Sequence, residues 1–323
     1  MHKSMVMLVM SLVLCLAIGS PVQAQDKSAE KISVFASILP AAAFVQRVGG
    51  THVDVTVLVG AGQDPHTFDP SPQLMAKLAR ARALFKMGFP FEEALVKKIG
   101  ATFKNVEVVD LQKGIALREM TPEELEAEEH SHHHEHGEHH KDSEHHEHGE
   151  DHEHGHEAGE KDPHTWLDPL RAKMQAQTIA EALIRIDPKH KSDYERNLAD
   201  FQKDLDAVDK QLSKVLAPVK GKSFYVFHPA YGYFADRYGL KQVAVESQGK
   251  EPTAKQLARL IDRAKADKVK IIFVEPQFSK KSAQALSAAI GGAVVPLDPL
   301  SGDYLKNLKT MADALESALS KQR

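Results

Sequence analysis

Residues 187–216 read DPKHKSDYERNLADFQKDLDAVDKQLSKVL, and the rest of the chain is organised around this stretch. Asp187-Pro188 predicts a helix start, because proline favours the first helical position. Apolar residues then recur every three or four positions and form one apolar face. They are Tyr194, Leu198, Phe201, Leu205, Val208, Leu212 and Val215. A helix of roughly 28 residues spans about 40 Å at 1.5 Å per residue. It is long enough to connect two lobes rigidly, so we expect modest opening and closing.

On both sides of this helix, short β-rich runs alternate with helical stretches. The predicted strands are 32–37, 53–58, 83–87 and 106–110 before it, and 223–227, 242–246, 271–275 and 293–297 after it. The predicted helices are 40–48, 72–81, 91–99 and 168–186, and then 230–238, 253–266, 280–289 and 304–320. Such alternation builds parallel sheets that helices cover on both faces.

The predicted fold class is therefore α/β, with two lobes that one long rigid helix joins. Each lobe is a four-stranded, mainly parallel sheet flanked by helices. We place the N-terminal lobe at 25–186, the linking helix at 187–218 and the C-terminal lobe at 219–323.

Residues 1–24 have the pattern of a secretory signal peptide. A basic start is followed by an apolar run and by Val22-Gln23-Ala24, which fits cleavage after Ala24. An uncleaved membrane anchor is the alternative. The single cysteine, Cys15, lies in this run, so the mature chain has no disulfide and no thiolate metal site. We expect an exported, periplasmic protein.

Residues 119–162, here called the histidine-rich insert, differ from the rest of the chain. The insert holds 13 of the 19 histidines and 17 acidic residues against two lysines. It has almost no apolar side chains after Leu125, and we predict that it is disordered. The remaining mature chain is mildly basic, but its Lys and Arg lie on helical faces without Arg-aromatic clusters. This pattern excludes a nucleic-acid footprint.

Six histidines lie outside the insert. His2 belongs to the signal peptide, and we interpret His52 and His190 as solvated surface residues. The other three lie in proline-containing loops: Asp64-Pro65-His66, Pro163-His164-Thr165 and His228-Pro229. Asp298 follows the last predicted strand in a similar loop. Open α/β sheets bind ligands beyond the carboxyl ends of their strands, so these residues are candidate ligands for a metal in the interlobe cleft. The spacings alone also fit loop histidines without a metal.

A set of ordered motifs carries a family resemblance. The motifs are Ser37-Ile38-Leu39-Pro40, Asp64-Pro65-His66, His164-Thr165-Trp166-Leu167-Asp168-Pro169, Phe227-His228-Pro229-Ala230-Tyr231-Gly232-Tyr233-Phe234, Glu275-Pro276-Gln277-Phe278-Ser279 and Leu297-Asp298-Pro299-Leu300. With the insert between the first two ligand loops, the chain resembles the metal-specific solute-binding proteins of ABC importers, most closely the ZnuA-type zinc-binding family. The likeness covers nearly the whole mature chain.

The resemblance implies a monomeric periplasmic protein that carries Zn²⁺ as its transported ligand. Its partners would be a membrane permease coupled to a cytoplasmic ATPase and a periplasmic metallochaperone. His66, His164 and His228 match the three imidazole ligands. Asp298 matches a carboxylate ligand of manganese-binding relatives, and the fourth place in zinc-binding relatives goes to water or another acid. The resemblance leaves open whether Glu246 or Glu251 reaches the site.

Several alternatives stay open. The chain could bind manganese or another divalent metal within the same family, although an imidazole at His228 favours zinc. Three histidines with an open position also describe a zinc-dependent hydrolase, and the insert could make the protein a metal store or an adhesin. We expect the insert to collect zinc weakly, with a plain spacer as the alternative.

The sequence also suggests what supports the ligands. Asp64 or Asp69, and Asp162 or Asp168, are candidates to accept a ring N–H from a ligand, unless they form turns and helix caps. We expect the start of the following helix to keep the His228 ring neutral.

Overall fold

The computed structural model describes residues 31–121, 124, 161–246 and 252–321. The predicted signal peptide, Glu251 and most of the histidine-rich insert lie outside the described residues. The predictions for these segments stay predictions.

The first lobe is built on a sheet of four parallel strands. They are β1 (Ile32–Ile38), β2 (Val53–Val59), β3 (Ala83–Lys86) and β4 (Glu107–Asp110), in the order β2-β1-β3-β4. Its helices are α1 (Leu39–Gly49), α2 (Pro72–Leu78), α3 (Pro90–Thr102) and α4 (Pro169–Ile186). The last three begin with proline, as the missing proline N–H allows. Asp168 caps α4 by accepting from the Leu170 N–H.

The second lobe repeats this topology. Its strands are β5 (Ser223–Val226), β6 (Lys241–Ala244), β7 (Ile271–Val274) and β8 (Ala293–Pro296), in the parallel order β6-β5-β7-β8. Its helices are α6 (Gly232–Tyr238), α7 (Ala254–Ala266), α8 (Lys281–Ala289) and α9 (Tyr304–Ser320). The order reverses direction between β5 and β7, so the loops after these two strands flank a crevice of the kind that holds ligands.

The long helix α5 (Lys191–Leu216) connects the two lobes. A 3-10 turn precedes it at Pro188–His190 and another follows it at Ala217–Val219. Its apolar face packs as predicted: Tyr194, Phe201, Leu205, Val208 and Leu212 are buried. The predicted fold class of two four-stranded parallel α/β lobes joined by a long helix is confirmed.

The core is continuous between the lobes. Phe44 on α1 packs against Phe201 on α5 and Tyr304 on α9, with ring centroids 5.4 and 4.6 Å apart. The same cluster of buried side chains includes Phe224 on β5 and Leu308 on α9. The C-terminal helix therefore returns to the first lobe. Within the described residues, no helix is both long and apolar enough to span a bilayer.

Candidate metal centre

His66 lies in the loop between β2 and α2, beyond the carboxyl end of its strand. Asp64 shapes this loop: one carboxylate oxygen accepts from the His66 backbone N–H at 2.9 Å and the other from the Thr67 hydroxyl at 3.1 Å. The Asp64 side chain therefore forms the turn. The His66 ring is buried, with Phe89 at its edge and 5.3 Å between the centroids.

His164 precedes a 3-10 turn at Thr165–Leu167 that leads into α4, and a buried carboxylate orients its ring. Asp162 Oδ1 lies 2.9 Å from the His164 backbone nitrogen and 2.8 Å from Nδ1. Because a carboxylate beside Nδ1 selects the tautomer with the proton there, Nε2 is left to bind a metal. Of the two predicted candidates, Asp162 therefore supports His164 and Asp168 caps the helix. Trp166 anchors the loop by donating its indole N–H to the Pro299 carbonyl at 2.8 Å.

His228 follows β5 and is held by two buried acids. Glu246 Oε1 lies 2.7 Å from His228 Nδ1, and Glu275 Oε2 accepts from the His228 backbone N–H at 3.2 Å. The Phe278 ring stacks on the imidazole with centroids 4.9 Å apart. The sequence left the role of Glu246 open and assigned none to Glu275, although both follow buried strands beside β5.

The three imidazoles converge in the cleft between the lobes. One nitrogen from each ring lies within 4.8 Å of the others, and the Nε2 atoms of His164 and His228 are 3.4 Å apart. Two nitrogens on a tetrahedral zinc with bonds of about 2.05 Å are separated by about 3.3 Å. The cavity measures about 10 Å³, about the room that one water-sized particle needs. The residues therefore fit a small metal ion with nitrogen ligands.

Acidic neighbours give the cleft a negative field. Burial lowers the pKa of His228, but the nearby Glu246, Glu275 and Asp64 carboxylates outweigh it, so the pKa lies above its usual value. Our expectation that a helix start keeps this ring neutral is therefore wrong: α6 begins four residues later, and the carboxylates dominate. Burial raises the pKa of Glu275 to about 8, although the charge of His228 opposes the rise. Because a metal ion binds the neutral imidazole, it must compete with a proton for His228.

Asp298 lies next to the cleft, in the loop after β8. Its Oδ1 accepts from the Leu300 backbone N–H at 3.0 Å and from the Gln277 amide at 3.1 Å. In the part of the chain that the structure describes, the group of converging metal-ligand atoms consists of the three histidines. Direct ligation by Asp298 stays a prediction.

His52 and His190 are not the solvated residues that we expected. Their rings stack with centroids 3.7 Å apart, and their side chains are 17% and 20% exposed. Asp193 lies 2.8 Å from His52 Nε2, and Asp187 lies 2.5 Å from His190 Nδ1. The pair fixes the turn after α1 to the start of α5.

The structure has two parallel-sheet lobes that face each other across three converging imidazoles. This is the architecture of a two-lobed metal-binding protein. The family model described as "Zinc-uptake complex component A periplasmic" (ZnuA) matches residues 34–318. The chain belongs to this family, which confirms the resemblance found in the sequence.

Relatives and solved structures agree with this assignment. The high-affinity zinc uptake system protein ZnuA of Brucella suis is 34% identical over 313 residues, which cover 90% of this chain and 93% of that protein. The zinc-binding lipoprotein AdcA of Streptococcus pneumoniae is 31% identical over 287 residues, which cover 85% of this chain and 51% of AdcA. This chain therefore spans about half the length of AdcA. A crystal structure of ZnuA is 36% identical with a TM-score of 0.75 and covers 90% of this chain and 99% of that one. A zinc-bound ZnuA deletion mutant is 35% identical with a TM-score of 0.76 and covers 91% of this chain and 100% of that one.

Proposed function

We propose that this protein is the periplasmic solute-binding component of a zinc ABC importer. It captures Zn²⁺ with His66, His164 and His228 and delivers the ion to a membrane permease coupled to a cytoplasmic ATPase. The observation that carries the proposal is the convergence of three buried imidazoles, with one nitrogen of each ring within 4.8 Å of the others, around a cavity of about 10 Å³. The names of the relatives, which describe zinc uptake and zinc binding, support it.

The donor set favours zinc over the manganese alternative. Imidazole suits zinc, whereas manganese sites use more carboxylate and water. Glu246 Oε1 and Asp162 Oδ1 lie beside the Nδ1 atoms of His228 and His164, so these oxygens support ligands. We therefore propose that the fourth position belongs to water or to Asp298 after a small movement of its loop.

The remaining parts of the proposal concern the rest of the chain. We propose a cleaved signal peptide at 1–24, lobes at 25–186 and 219–323 joined by the helix at 187–218, and a monomer that acts without catalysis. The histidine-rich insert would collect zinc weakly through its acidic charge, and a periplasmic metallochaperone is a further partner. The hydrolase alternative finds no support in the names of the relatives.

Calorimetric titration of zinc and manganese tests the central proposal. Wild type is compared with His228→Ala, with deletion of residues 125–160 and with His52→Ala, a control that removes an imidazole outside the cleft. We expect one tight zinc site that survives the deletion and the control, is lost in His228→Ala and discriminates against manganese. Tight zinc binding in His228→Ala, or loss of the tight site on deletion of the insert, contradicts the proposal.

Asp298→Asn and an ester-hydrolysis assay decide the finer points. A loss of more than tenfold in zinc affinity in Asp298→Asn, with the fold retained, would assign the fourth ligand to Asp298. Turnover by the zinc-loaded protein that disappears in His228→Ala would restore the hydrolase reading.

A further inference from the structure

The two ends of the histidine-rich insert meet beside the loop of His164. The Asp162 backbone N–H donates to the Arg118 carbonyl at 3.0 Å. Glu119 and Lys161 form an isolated antiparallel bridge and an exposed ion pair at 2.6 Å. The insert therefore leaves and re-enters the fold at one point, next to a proposed metal ligand.

Arg118 occupies the centre of this junction. Its Nη1 lies 3.1 Å from Asp162 Oδ2, its Nη2 2.8 Å from Glu124 Oε1, and its Nε 2.9 Å from Asp236 Oδ2 on α6. The Arg118 side chain is 13% exposed and that of Asp162 is fully buried. A planar guanidinium holds several carboxylates in fixed directions, which the single ammonium of a lysine does not.

The carboxylate of Asp162 contacts both Arg118 and His164. Oδ2 pairs with Arg118, while Oδ1 faces Nδ1 of His164 and accepts from its backbone N–H. Since rotating the carboxylate would break contacts on both sides, the ion pair fixes the acceptor that directs Nε2 of His164 towards the cleft.

The second lobe leaves space for this pair at one glycine. A Cβ on Gly232, the first residue of α6, would lie 2.7 Å from Asp162 Oδ2 and closer still to Arg118 Nη1. The neighbouring Tyr233 hydroxyl donates to the Asp162 carbonyl and accepts from the Arg118 backbone N–H, both at 3.0 Å. Gly232 and Tyr233 of the second lobe therefore shape the support of a ligand from the first.

We propose that Arg118 is a positioning residue for metal capture, which holds Asp162 so that His164 presents Nε2 to the cleft. The same contacts tie the base of the insert and α6 to this ligand. The inference rests on the proposed function. It adds that zinc affinity depends on an ion pair to a residue that does not touch the metal, and on the absence of a side chain at Gly232.

Four variants test the inference in the full-length chain. Arg118→Met removes the ion pairs, Arg118→Lys keeps the charge, and Gly232→Ala inserts one methyl group into the pair. Lys161→Met is the matched control, because it removes the exposed ion pair at the same junction. Zinc affinity is measured by chelator competition, the tautomer of His164 in the metal-free protein by ¹⁵N NMR, and ligand geometry by the visible spectrum of the Co²⁺-loaded protein.

We expect Arg118→Met and Gly232→Ala to weaken zinc binding by about 10- to 100-fold, the usual effect of losing a partner that orients a ligand. The His164 tautomer should become mixed and the Co²⁺ bands should shift. Arg118→Lys should restore part of the affinity, and Lys161→Met should match wild type.

Zinc affinity and a His164 tautomer equal to wild type in Arg118→Met and Gly232→Ala would overturn the inference. So would weakened affinity with unchanged tautomer and spectrum, because that is the result of general destabilisation. If Arg118→Met fails to fold, Gly232→Ala and Arg118→Lys decide by the same readouts. Failure of the proposed function itself shows separately, as wild-type affinity in His228→Ala.

Discussion

Glu246→Gln tests whether the buried carboxylate behind His228 contributes to zinc affinity. Glu246 is 2% exposed, and its Oε1 lies 2.7 Å from His228 Nδ1. An N–H bond to a carboxylate makes the ring a stronger ligand and fixes its tautomer, and losing such a partner costs about 10- to 100-fold in metal affinity. That range corresponds to about 1.4 to 2.7 kcal/mol. Glutamine keeps an acceptor and should lose about tenfold, whereas Glu246→Ala should lose about a hundredfold.

The size of the loss should depend on pH. Glu246 also helps to raise the pKa of His228. Its removal therefore weakens the binding of the competing proton to His228 as well as the binding of the metal. The difference between Glu246→Gln and wild type should therefore be largest at pH 8 and should narrow towards pH 6. Chelator competition at both pH values measures it, with Glu181→Gln on the exposed face of α4 as the control. Equal zinc affinities at pH 8 for wild type and Glu246→Ala would refute the reasoning.

Four further predictions concern the metal site and the core. Zinc affinity of the wild type should fall as the pH drops from 8 to 5, and the fall should start above pH 6.5 because the pKa of His228 is raised; calorimetry that finds a flat affinity contradicts this. In the metal-free protein the same raised pKa of His228 stabilises the fold below pH 6.5, and this stability should be lost as pH rises through the raised value. The pH dependence of metal-free melting curves should therefore become smaller in His228→Gln, and the part that comes from the raised pKa of Glu275 should remain. Phe44→Ala should lower the free energy of unfolding by about 3 to 5 kcal/mol, because Phe44 is fully buried against Phe201 and Tyr304, as urea titration can show. Free zinc at a hundred times its Kd should add about 2.7 kcal/mol to stability, a gain that EDTA removes and that His228→Ala should lack.

The fold was predictable because each element has a local signal. The three- and four-residue spacing of apolar side chains predicted α5. The prolines at 72 and 169 predicted helix starts that agree with the structure to within one residue. The eight strands were found as short apolar runs, with ends that differ by one or two residues. These signals lie within short windows of the sequence, so the spacing of apolar residues is enough to predict each element.

The site was predictable only in part, because its supports come from distant segments. The three histidines could be assigned through the resemblance of their loops to a known family. Arg118 and Asp236 are 118 positions apart and meet in space, and no local pattern marks a pairing of that kind. The effect on His228 was misjudged for the same reason: the sequence shows the following helix start, but it does not show that Glu246 and Glu275 pack against the ring.

The shared core limits how the cleft can open. Tyr304 on α9 donates its hydroxyl to the Trp166 carbonyl, and the Trp166 indole binds the Pro299 carbonyl. These bonds join the loop of His164 to the second lobe immediately behind the cleft. A wide hinge motion would break these hydrogen bonds and separate Phe44 from Phe201 and Tyr304. The binding free energy of one metal ion would have to offset that loss. Small movements of the ligand loops require no such loss. Such movements agree with the modest closure that a single long helix between the lobes leads us to expect.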